Sequence, residues 1–381
     1  MNALADKIVA TSSEGFSARL IETREELEQL APEWNNLLHM SAADTIFLTW
    51  EWITSWLDTI APKSSIMVVE VRDTEQRLIG LAPFYRSPLY LFGCIPYQCL
   101  RVLGDSNSGA EYPDIIIQKG LENKIIPLIA EMYQRHRKKW DWIWLLNIAG
   151  WTGALERITM VFQPGTVIIK KSSYSFSSIT LPESWLKFTS QIPKHRLNNL
   201  RRLERISDQH SPQVLHCVRA EELSSYLDNF FRLHNKRWQC AGQKGSFHYR
   251  PKMDDFYRDF ASKALDKGWL GFFSLFLDGV IGASQYGYVY NNVYHALQEG
   301  FDPDGLPGQG NLLRAAVVTW CIEQKIHEYD FLGMHSKHKA YWGGIERYGW
   351  RLFLGRRCLK NLPLKLAGIW PSGRFIKYGK N

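Results

Sequence analysis

Residues 301–310 read Phe301-Asp302-Pro303-Asp304-Gly305-Leu306-Pro307-Gly308-Gln309-Gly310, and this stretch decides the predicted fold of the 381-residue chain. The apolar segment 292–300 predicts a strand before it, and the periodicity of 311–324 predicts a helix after it. Residues 329–332 then predict a second buried strand. A strand, a Gly-rich turn, a helix and another strand form a crossover, which predicts an α/β class with a mixed sheet.

Outward from this turn, the same order of elements occurs in both halves of the chain. In the second half, Asp278-Gly279 predicts a hairpin between strands at 269–277 and 280–289, preceded by helices at 185–208, 220–240 and 253–267. In the first half, the patterns predict a strand at 17–21, helices at 23–38, 49–60 and 120–137, a hairpin of 66–72 with 78–85, and strands at 100–103, 114–118 and 140–147. This duplication predicts two tandem domains, 1–180 and 181–358, and a basic arm, 359–381.

The formal charge of +8 lies almost wholly in the arm and the residues just before it. No acidic residue follows Glu346, whereas nine lysines and arginines do, so residues 1–346 are near neutral. A surface for nucleic acid over the whole protein is therefore not expected. The apolar residues interleaved in the arm suggest peripheral contact with an anionic membrane, or packing against the second domain.

Other features of the sequence restrict the class of protein. No apolar run reaches the length of a membrane span, and the segment 1–6 does not predict a secretory signal, so we expect a cytoplasmic protein. The six cysteines are scattered without a C-x-x-C pair, which predicts reduced thiols and no metal site. The motifs of P-loop nucleotide hydrolases, zinc proteases and serine hydrolases are all missing.

Three segments carry residues suited to chemistry. Gly308 and Gly310 precede a predicted helix, whose first N–H groups suit the phosphates of a cofactor, although glycines in such a position also serve simply as a turn. The loop 331–343 follows the last buried strand and offers histidines and lysines; we interpret it as a polar loop rather than a metal site. The helix 196–205 has one strongly basic side, which indicates either a solvated face or a phosphate-bearing substrate.

Several motifs occur together in a characteristic order over about residues 20–345. They are Phe47-Leu48-Thr49-Trp50-Glu51-Trp52, the basic helix 196–205, His234-Asn235-Lys236-Arg237-Trp238, the stretch 301–313, the strand 329–333, and Lys339-Ala340-Tyr341-Trp342-Gly343. In these motifs the chain resembles the CelD/BcsL family, a branch of the GNAT acyltransferase superfamily. Its tandem arrangement resembles the Fem-type peptidoglycan aminoacyltransferases.

This resemblance implies two GNAT-like domains, the first degenerate, with acetyl-CoA or another acyl-CoA as the donor. The acceptor it implies is an amine, such as a lipid- or nucleotide-linked amino sugar in cell-envelope or exopolysaccharide biosynthesis. The chain departs from the GNAT pattern at Gly305, where other members carry Gln or Arg. It departs again at His338, where the family has Tyr before the lysine.

The combined evidence predicts three groups of site residues. A base that removes a proton from the amine and a positive charge near the oxyanion are the chemical requirements of acyl transfer. The predicted catalytic residues are Lys339, Glu299, His295 and His335, with Glu299 and His295 expected on one side of their strand. The predicted cofactor residues are Gly305, Gly308, Gln309, Gly310 and Asn311. The predicted substrate residues are Arg196, Arg201, Arg205, Arg237, Trp238 and Gln285.

Two other functions are compatible with the same fold. The first is a Fem-type transferase that takes its donor from aminoacyl-tRNA and acts on a peptidoglycan precursor. The second is a non-catalytic GNAT-shaped module of a polysaccharide machine, which the glycine at position 305 favours.

Overall fold

The computed structural model describes residues 9–12, 15–362 and 376–378. Its strands are β1 (Val9–Thr11), β2 (Ser17–Ile21), β3 (Ser65–Arg72), β4 (Leu78–Leu91), β5 (Ile95–Val102), β6 (Ile116–Ile117), β7 (Trp142–Ala149), β8 (Thr166–Thr180), β9 (Gln213–His216), β10 (Leu270–Leu277), β11 (Val280–Tyr290), β12 (Val293–Phe301), β13 (Glu328–Gly333), β14 (Ile345–Arg356) and β15 (Ile376–Tyr378). Its helices are α1 (Arg24–Glu28), α2 (Ala31–His39), α3 (Trp50–Thr59), α4 (Glu122–Arg135), α5 (Ala154–Phe162), α6 (Trp185–Ser190), α7 (Lys194–Ser207), α8 (Ala220–Cys240), α9 (Ser246–Tyr249), α10 (Met253–Asp266), α11 (Gln309–Glu323) and α12 (Lys337–Tyr341).

The chain forms two compact units, and both are mixed α/β structures, as predicted. Unit 1 comprises residues 1–106, 110–174 and 348–381, and unit 2 comprises 107–109 and 175–347. The segment 348–358, assigned above to the second domain, therefore belongs to unit 1. Most of the predicted arm, residues 363–375 and 379–381, lies outside the described residues.

The sheet of unit 1 has the strand order β1-β2-β3-β4-β5-β7-β14, and β6 and β15 also pair with β4. All of these pairs are antiparallel except β5 with β7, which are parallel at Cys99↔Trp142 and Leu100↔Ile143. Helix α4 makes the connection between those two strands. Trp34 of α2, Trp52 and Trp56 of α3 and Trp142 of β7 are at most 1% exposed, so these tryptophans fill the core.

The sheet of unit 2 has the strand order β8-β13-β12-β11-β10-β9. Only β12 and β13 are parallel, and α11 connects them as the crossover that the sequence predicted. Helix α11 packs on one face of the sheet in a core that includes Tyr294 and Tyr329. Helices α8 and α10 pack on the opposite face, where Phe230 stacks on Tyr286 and Phe260 meets Tyr288.

Most predicted elements agree with the structure, and prolines explain two of the differences. The predicted helix 23–38 is two helices, with Pro32 in the first turn of α2. The predicted helix 185–208 divides into α6 and α7 at Pro193, which lacks the N–H that a continuous helix requires. The elements that were not predicted are the strands β1, β8, β9, β14 and β15 and the helices α5, α9 and α12.

Across the described parts of the chain, no helix combines the length and the apolar character needed to cross a membrane.

Candidate functional site

The parallel strands β12 and β13 separate after a short paired segment. They pair only at Val293↔Glu328, Tyr294↔Tyr329 and His295↔Asp330. Among the described residues, no pairing joins 296–301 of β12 to β13, and most of that segment is half-buried. We call the opening between the two strands the wedge. It is bounded by residues 296–301, by residues 331–333 and by the first two turns of α11. Its β12 edge presents backbone amide groups that an extended, amide-bearing ligand can pair with.

A β-bulge in β12 changes which side chains enter the wedge. The register with β11 shifts between Tyr286↔Gln298 and Gly287↔Ala296, so one residue of β12 is extra. Glu299 consequently lies opposite Gln285 on the α11 face, and His295 lies opposite Tyr288 on the α10 face. The prediction that Glu299 and His295 share one side of the strand was wrong, because the bulge reverses the alternation.

Glu299 is the centre of a charged cluster in the wedge. Its Oε1 lies 3.2 Å from Nη1 of Arg237, and its Oε2 pairs with Nη2 of Arg314. Arg314 lies in α11 and is only 4% exposed, and its Nε has no hydrogen-bond partner. Burial lowers the pKa of Arg314. The cluster thus joins two guanidinium groups through one carboxylate.

His338 extends this cluster from the α12 side. Nη1 of Arg314 lies 2.9 Å from Nε2 of His338, so that nitrogen accepts and the proton of a neutral ring lies on Nδ1. Desolvation of the ring, together with the nearby Arg314, Arg237 and Lys339, lowers the pKa of His338 to about 4. His338 is therefore neutral at pH 7 and offers a donor, not a charge.

Sequence reasoning missed both Arg314 and His338 as site residues. Arg314 interrupts the apolar run Leu312-Leu313-Arg314-Ala315-Ala316, and a single charge inside a buried helix is a signal that could have identified it. His338 occupies the position at which the chain departs from the CelD/BcsL pattern, and that departure was its signal.

The Gly-rich turn begins α11 as predicted. Gly308 is its N-cap with φ 90°, a left-handed conformation that favours glycine. None of the hydrogen bonds among the described residues uses the backbone N–H of Gly308 or Gly310. A Cβ on Gly308 would lie 2.7 Å from Leu203 of α7, and one on Gly310 would lie 3.3 Å from Phe301. Packing against Leu203 therefore also favours glycine at position 308, whereas a Cβ at position 310 would only crowd Phe301.

The other predicted cofactor residues serve the turn itself. The side chain of Gln309 is buried and donates to the carbonyl oxygen of Asp302. It fills the space that a Cβ on Gly305 would occupy, 2.9 Å from Nε2 of Gln309. Asn311 accepts from the indole N–H of Trp342 at 3.3 Å. These contacts shape the first turn of α11.

A small, partly open pocket lies beside Asn311, against α7. Its lining residues are Ile192, Arg196, Leu197, Asn199, Leu200, Leu203, Asn311, Tyr341 and Trp342. The leucine and aromatic side chains give it apolar walls next to the first turn of α11.

The other three predicted catalytic residues already form hydrogen bonds within the protein. Nζ of Lys339 donates to the carbonyl oxygens of Phe331 and Gly333 at the end of β13, the first at 2.7 Å. Nδ1 of His335 lies 3.1 Å from the hydroxyl of Ser177. Nδ1 of His295 lies 3.2 Å from Asp330. Of the predicted catalytic residues, the structure thus brings Glu299 and Lys339 to the wedge.

The predicted substrate residues fall into different environments. Arg196 donates from Nη1 to the carbonyl oxygens of Ala340 and Tyr341, at 2.9 and 2.7 Å, and so fixes the end of α12. Arg201 and Arg205 are exposed on α7. Gln285 is buried and donates to the hydroxyls of Tyr294 and Tyr329. Only Arg237 enters the wedge, and the ring of its neighbour Trp238 lies 5.7 Å from its guanidinium carbon.

The buried residue His234 predicts that the protein loses stability at acidic pH. His234 is 0% exposed and accepts from Nε1 of Trp238 at 3.0 Å. Desolvation, with a smaller effect of Arg237, lowers the pKa of His234 to about 4, below the unfolded value of about 6.5. Between pH 6.5 and 4 the unfolded chain therefore binds a proton that the folded chain does not. We expect the free energy of unfolding to fall by up to about 3 kcal/mol as the pH is lowered through that window.

Chemical denaturation at a series of pH values measures this effect. In His234→Gln, which keeps an acceptor for Trp238, we expect a shallower slope between pH 6.5 and 4. A slope equal to that of the wild type contradicts the assignment.

Within 9–12, 15–362 and 376–378, no group of three or more His, Cys, Asp or Glu residues is placed to hold a metal ion.

Residues 194–340 match the acetyltransferase (GNAT) domain family. The fold is similar to that of FemX, with a TM-score of 0.60 at 9% identity over 88% of this chain and 98% of that one. No curated protein matches the chain in sequence.

Two further solved structures have similar folds. One is the C-terminal domain of a putative lysylphosphatidylglycerol synthetase from Agrobacterium fabrum, with a TM-score of 0.52 at 11% identity over 91% of this chain and 98% of that one. The other is L-PGS from Bacillus licheniformis, with a TM-score of 0.50 at 12% identity over 91% and 96%. At these identities the likeness concerns the fold alone. Residues 194–340, the part of the chain that matches the acetyltransferase (GNAT) domain family, contain α11, its Gly-rich turn and the wedge.

Proposed function

We propose that the protein is an acyl-CoA-dependent N-acyltransferase that acts on an amino sugar or a related amine. The observation that carries this proposal is the position of the wedge. An unpaired strand edge and the first turn of α11 lie together inside the matched GNAT domain. That combination suits a donor with phosphates at one end and an extended amide chain at the other.

The residues present fit an acyl-CoA. The backbone N–H groups of Gly308 and Gly310 would hold its phosphates at the positive end of α11. The edge of β12 at 296–299 would pair with the amides of pantetheine. The leucine-lined pocket beside Asn311 offers apolar surface close to that turn. When bound, acyl-CoA supplies an activated thioester carbonyl for attack by the amine.

We assign Glu299 as the group that takes the proton from the amine. It is the predicted base that lies in the wedge, whereas His295 lies on the opposite face of the sheet and His335 bonds to Ser177. A carboxylate in position can supply about 10²- to 10⁴-fold of rate as a general base. Arg314 pairs with it from α11 and favours negative charge that develops on an oxygen in the wedge.

The acceptor class rests on the resemblance to the CelD/BcsL family, which points to a lipid- or nucleotide-linked amino sugar of exopolysaccharide or cell-envelope synthesis. A Fem-type reaction, with aminoacyl-tRNA as the donor, is the second candidate, and the fold shared with FemX favours it. The third is a non-catalytic module, because no cation is present in the turn at Gly305.

Incubation of the full chain with acetyl-CoA and a panel of amino sugars tests the proposed function. The panel contains free, nucleotide-linked and lipid-linked forms. We expect release of the CoA thiol that depends on the amine, and an acetylated product by mass spectrometry. Consumption of aminoacyl-tRNA with no thiol release from acetyl-CoA would favour the Fem-type reaction instead. Absence of both reactions would favour the module.

Peripheral membrane contact through the arm remains a prediction. Sedimentation with anionic vesicles tests it, and vesicles of neutral lipid are the control. A truncation for this purpose must retain Asn361, which is buried and accepts from Nε1 of Trp142 at 2.7 Å.

A further inference from the structure

The turn that begins α11 carries negative charge, which disfavours the binding of phosphates. Residues 301–310 contain Asp302 and Asp304 and no lysine, arginine or histidine. Lys236 of α8 compensates for this, because its Nζ lies 2.5 Å from Oδ1 of Asp302 and 2.9 Å from Oδ2 of Asp304. The bond to Lys236 lowers the pKa of Asp302. Lys236 is thus already paired with the aspartates of the turn. A cation for an anionic ligand must therefore come from another residue.

Helix α8 approaches the end of β12 unusually closely. A Cβ on Gly300 would lie 2.6 Å from the backbone nitrogen of His234, so only glycine permits this approach. Arg237, three residues after His234, is thus carried to the edge of β12, where its Nη1 lies 3.4 Å from the carbonyl oxygen of Glu299.

The guanidinium group of Arg237 is held in place, but only one of its three nitrogens forms hydrogen bonds with the described residues. Its carbon lies 4.9 Å from the centre of the Phe301 ring, which is the ring that Gly310 of α11 packs against. Among the described residues, the hydrogen bonds and ion pair of Arg237 all use Nη1. Nη2 and Nε are left for a ligand, and the side chain is 31% exposed.

We propose that Arg237 of α8 supplies the cation for the diphosphate of the donor, which the turn itself lacks at Gly305. This inference rests on the proposed function, because it takes acyl-CoA as the donor. An arginine with two free donors binds a phosphate through two parallel hydrogen bonds, and stacking on Phe301 orients the planar group before the ligand arrives. Glu299 holds the opposite edge of the same group.

Calorimetric titration of the full chain tests this role without reference to turnover. We expect Arg237→Gln to weaken binding of acetyl-CoA by roughly 10- to 100-fold, as loss of a charge-assisted contact implies. Binding of ADP, which carries the diphosphate without pantetheine, should weaken by a similar factor in this variant. S-acetylpantetheine, which lacks the diphosphate, should bind the variant and the wild type alike. Arg237→Lys should restore part of the lost affinity, because it keeps the charge.

Arg258→Gln is the matched control. Arg258 also stacks on a phenylalanine, 5.0 Å from the centre of the Phe231 ring, and pairs with Asp228. We expect this variant to bind all three ligands as the wild type does. Equal affinity of Arg237→Gln and the wild type for acetyl-CoA overturns the assignment. The assignment also fails if Arg237→Gln loses affinity for S-acetylpantetheine by the same factor as for acetyl-CoA. Failure of the wild type to bind acetyl-CoA contradicts the proposed function instead, so the two failures are distinguishable.

Discussion

In Glu299→Gln we expect a loss of about 3 kcal/mol in the free energy of unfolding, together with a fall in kcat of about 10²- to 10⁴-fold. The loss of stability follows because Glu299 neutralises Arg314, which is 4% exposed and already has an unpartnered Nε. A buried cation without its carboxylate is costly. The loss of turnover follows because an amide does not accept a proton from the attacking amine.

Chemical denaturation and steady-state kinetics measure these two effects separately. Glu328→Gln is the control, since Glu328 also forms a half-buried ion pair in unit 2, with Arg347 at 2.7 Å, but lies outside the wedge. The double variant Glu299→Gln/Arg314→Met should recover stability without recovering turnover, because it removes the uncompensated charge. Wild-type kcat in Glu299→Gln would show that another group takes the proton.

In Gly308→Ala we expect a loss of about 3 kcal/mol in the free energy of unfolding and weaker binding of acetyl-CoA. A φ of 90° strains any residue with a Cβ, at about 1–2 kcal/mol. The new methyl group would lie 2.7 Å from the side chain of Leu203, and such overpacking adds about 1–3 kcal/mol. Movement of the turn to relieve both effects displaces the N–H groups proposed to hold the phosphates.

Gly279→Ala separates the two causes. Gly279 has a similar φ of 77°, but a Cβ there meets nothing within 4 Å, so this variant reports the backbone strain alone. Leu203→Ala combined with Gly308→Ala should remove the overpacking and leave the strain. If Gly308→Ala and Gly279→Ala destabilise the protein equally, Leu203 does not constrain the turn.

Local signals in the sequence were sufficient for most of the fold. Asp278-Gly279 predicts the hairpin of β10 and β11, and the apolar periodicity of 220–240 predicts α8 with the bounds that the structure has. These succeed because turn conformation and amphipathic burial depend on residues close together in the chain. The strand, turn and helix that form one side of the wedge were predictable for the same reason.

What the sequence did not predict depends on residues that are distant in the chain. The bulge in β12 is a property of its register with β11, and it alone moves Glu299 and His295 to opposite faces. Strand β14 pairs with β7, about 200 residues earlier, so nothing local assigns 348–358 to unit 1. The role of Lys339 at the end of β13 likewise appears only once the strand and α12 are placed.

Calorimetric titration of the wild-type chain with acetyl-CoA tests the central claim most directly. We predict saturable binding of one acetyl-CoA per chain with a Kd below about 1 mM, the upper range of substrate constants for enzymes. The binding should weaken as salt rises, because the phosphates are held by charge. No heat of binding at millimolar acetyl-CoA from a folded chain would contradict the assignment of acyl-CoA as the donor.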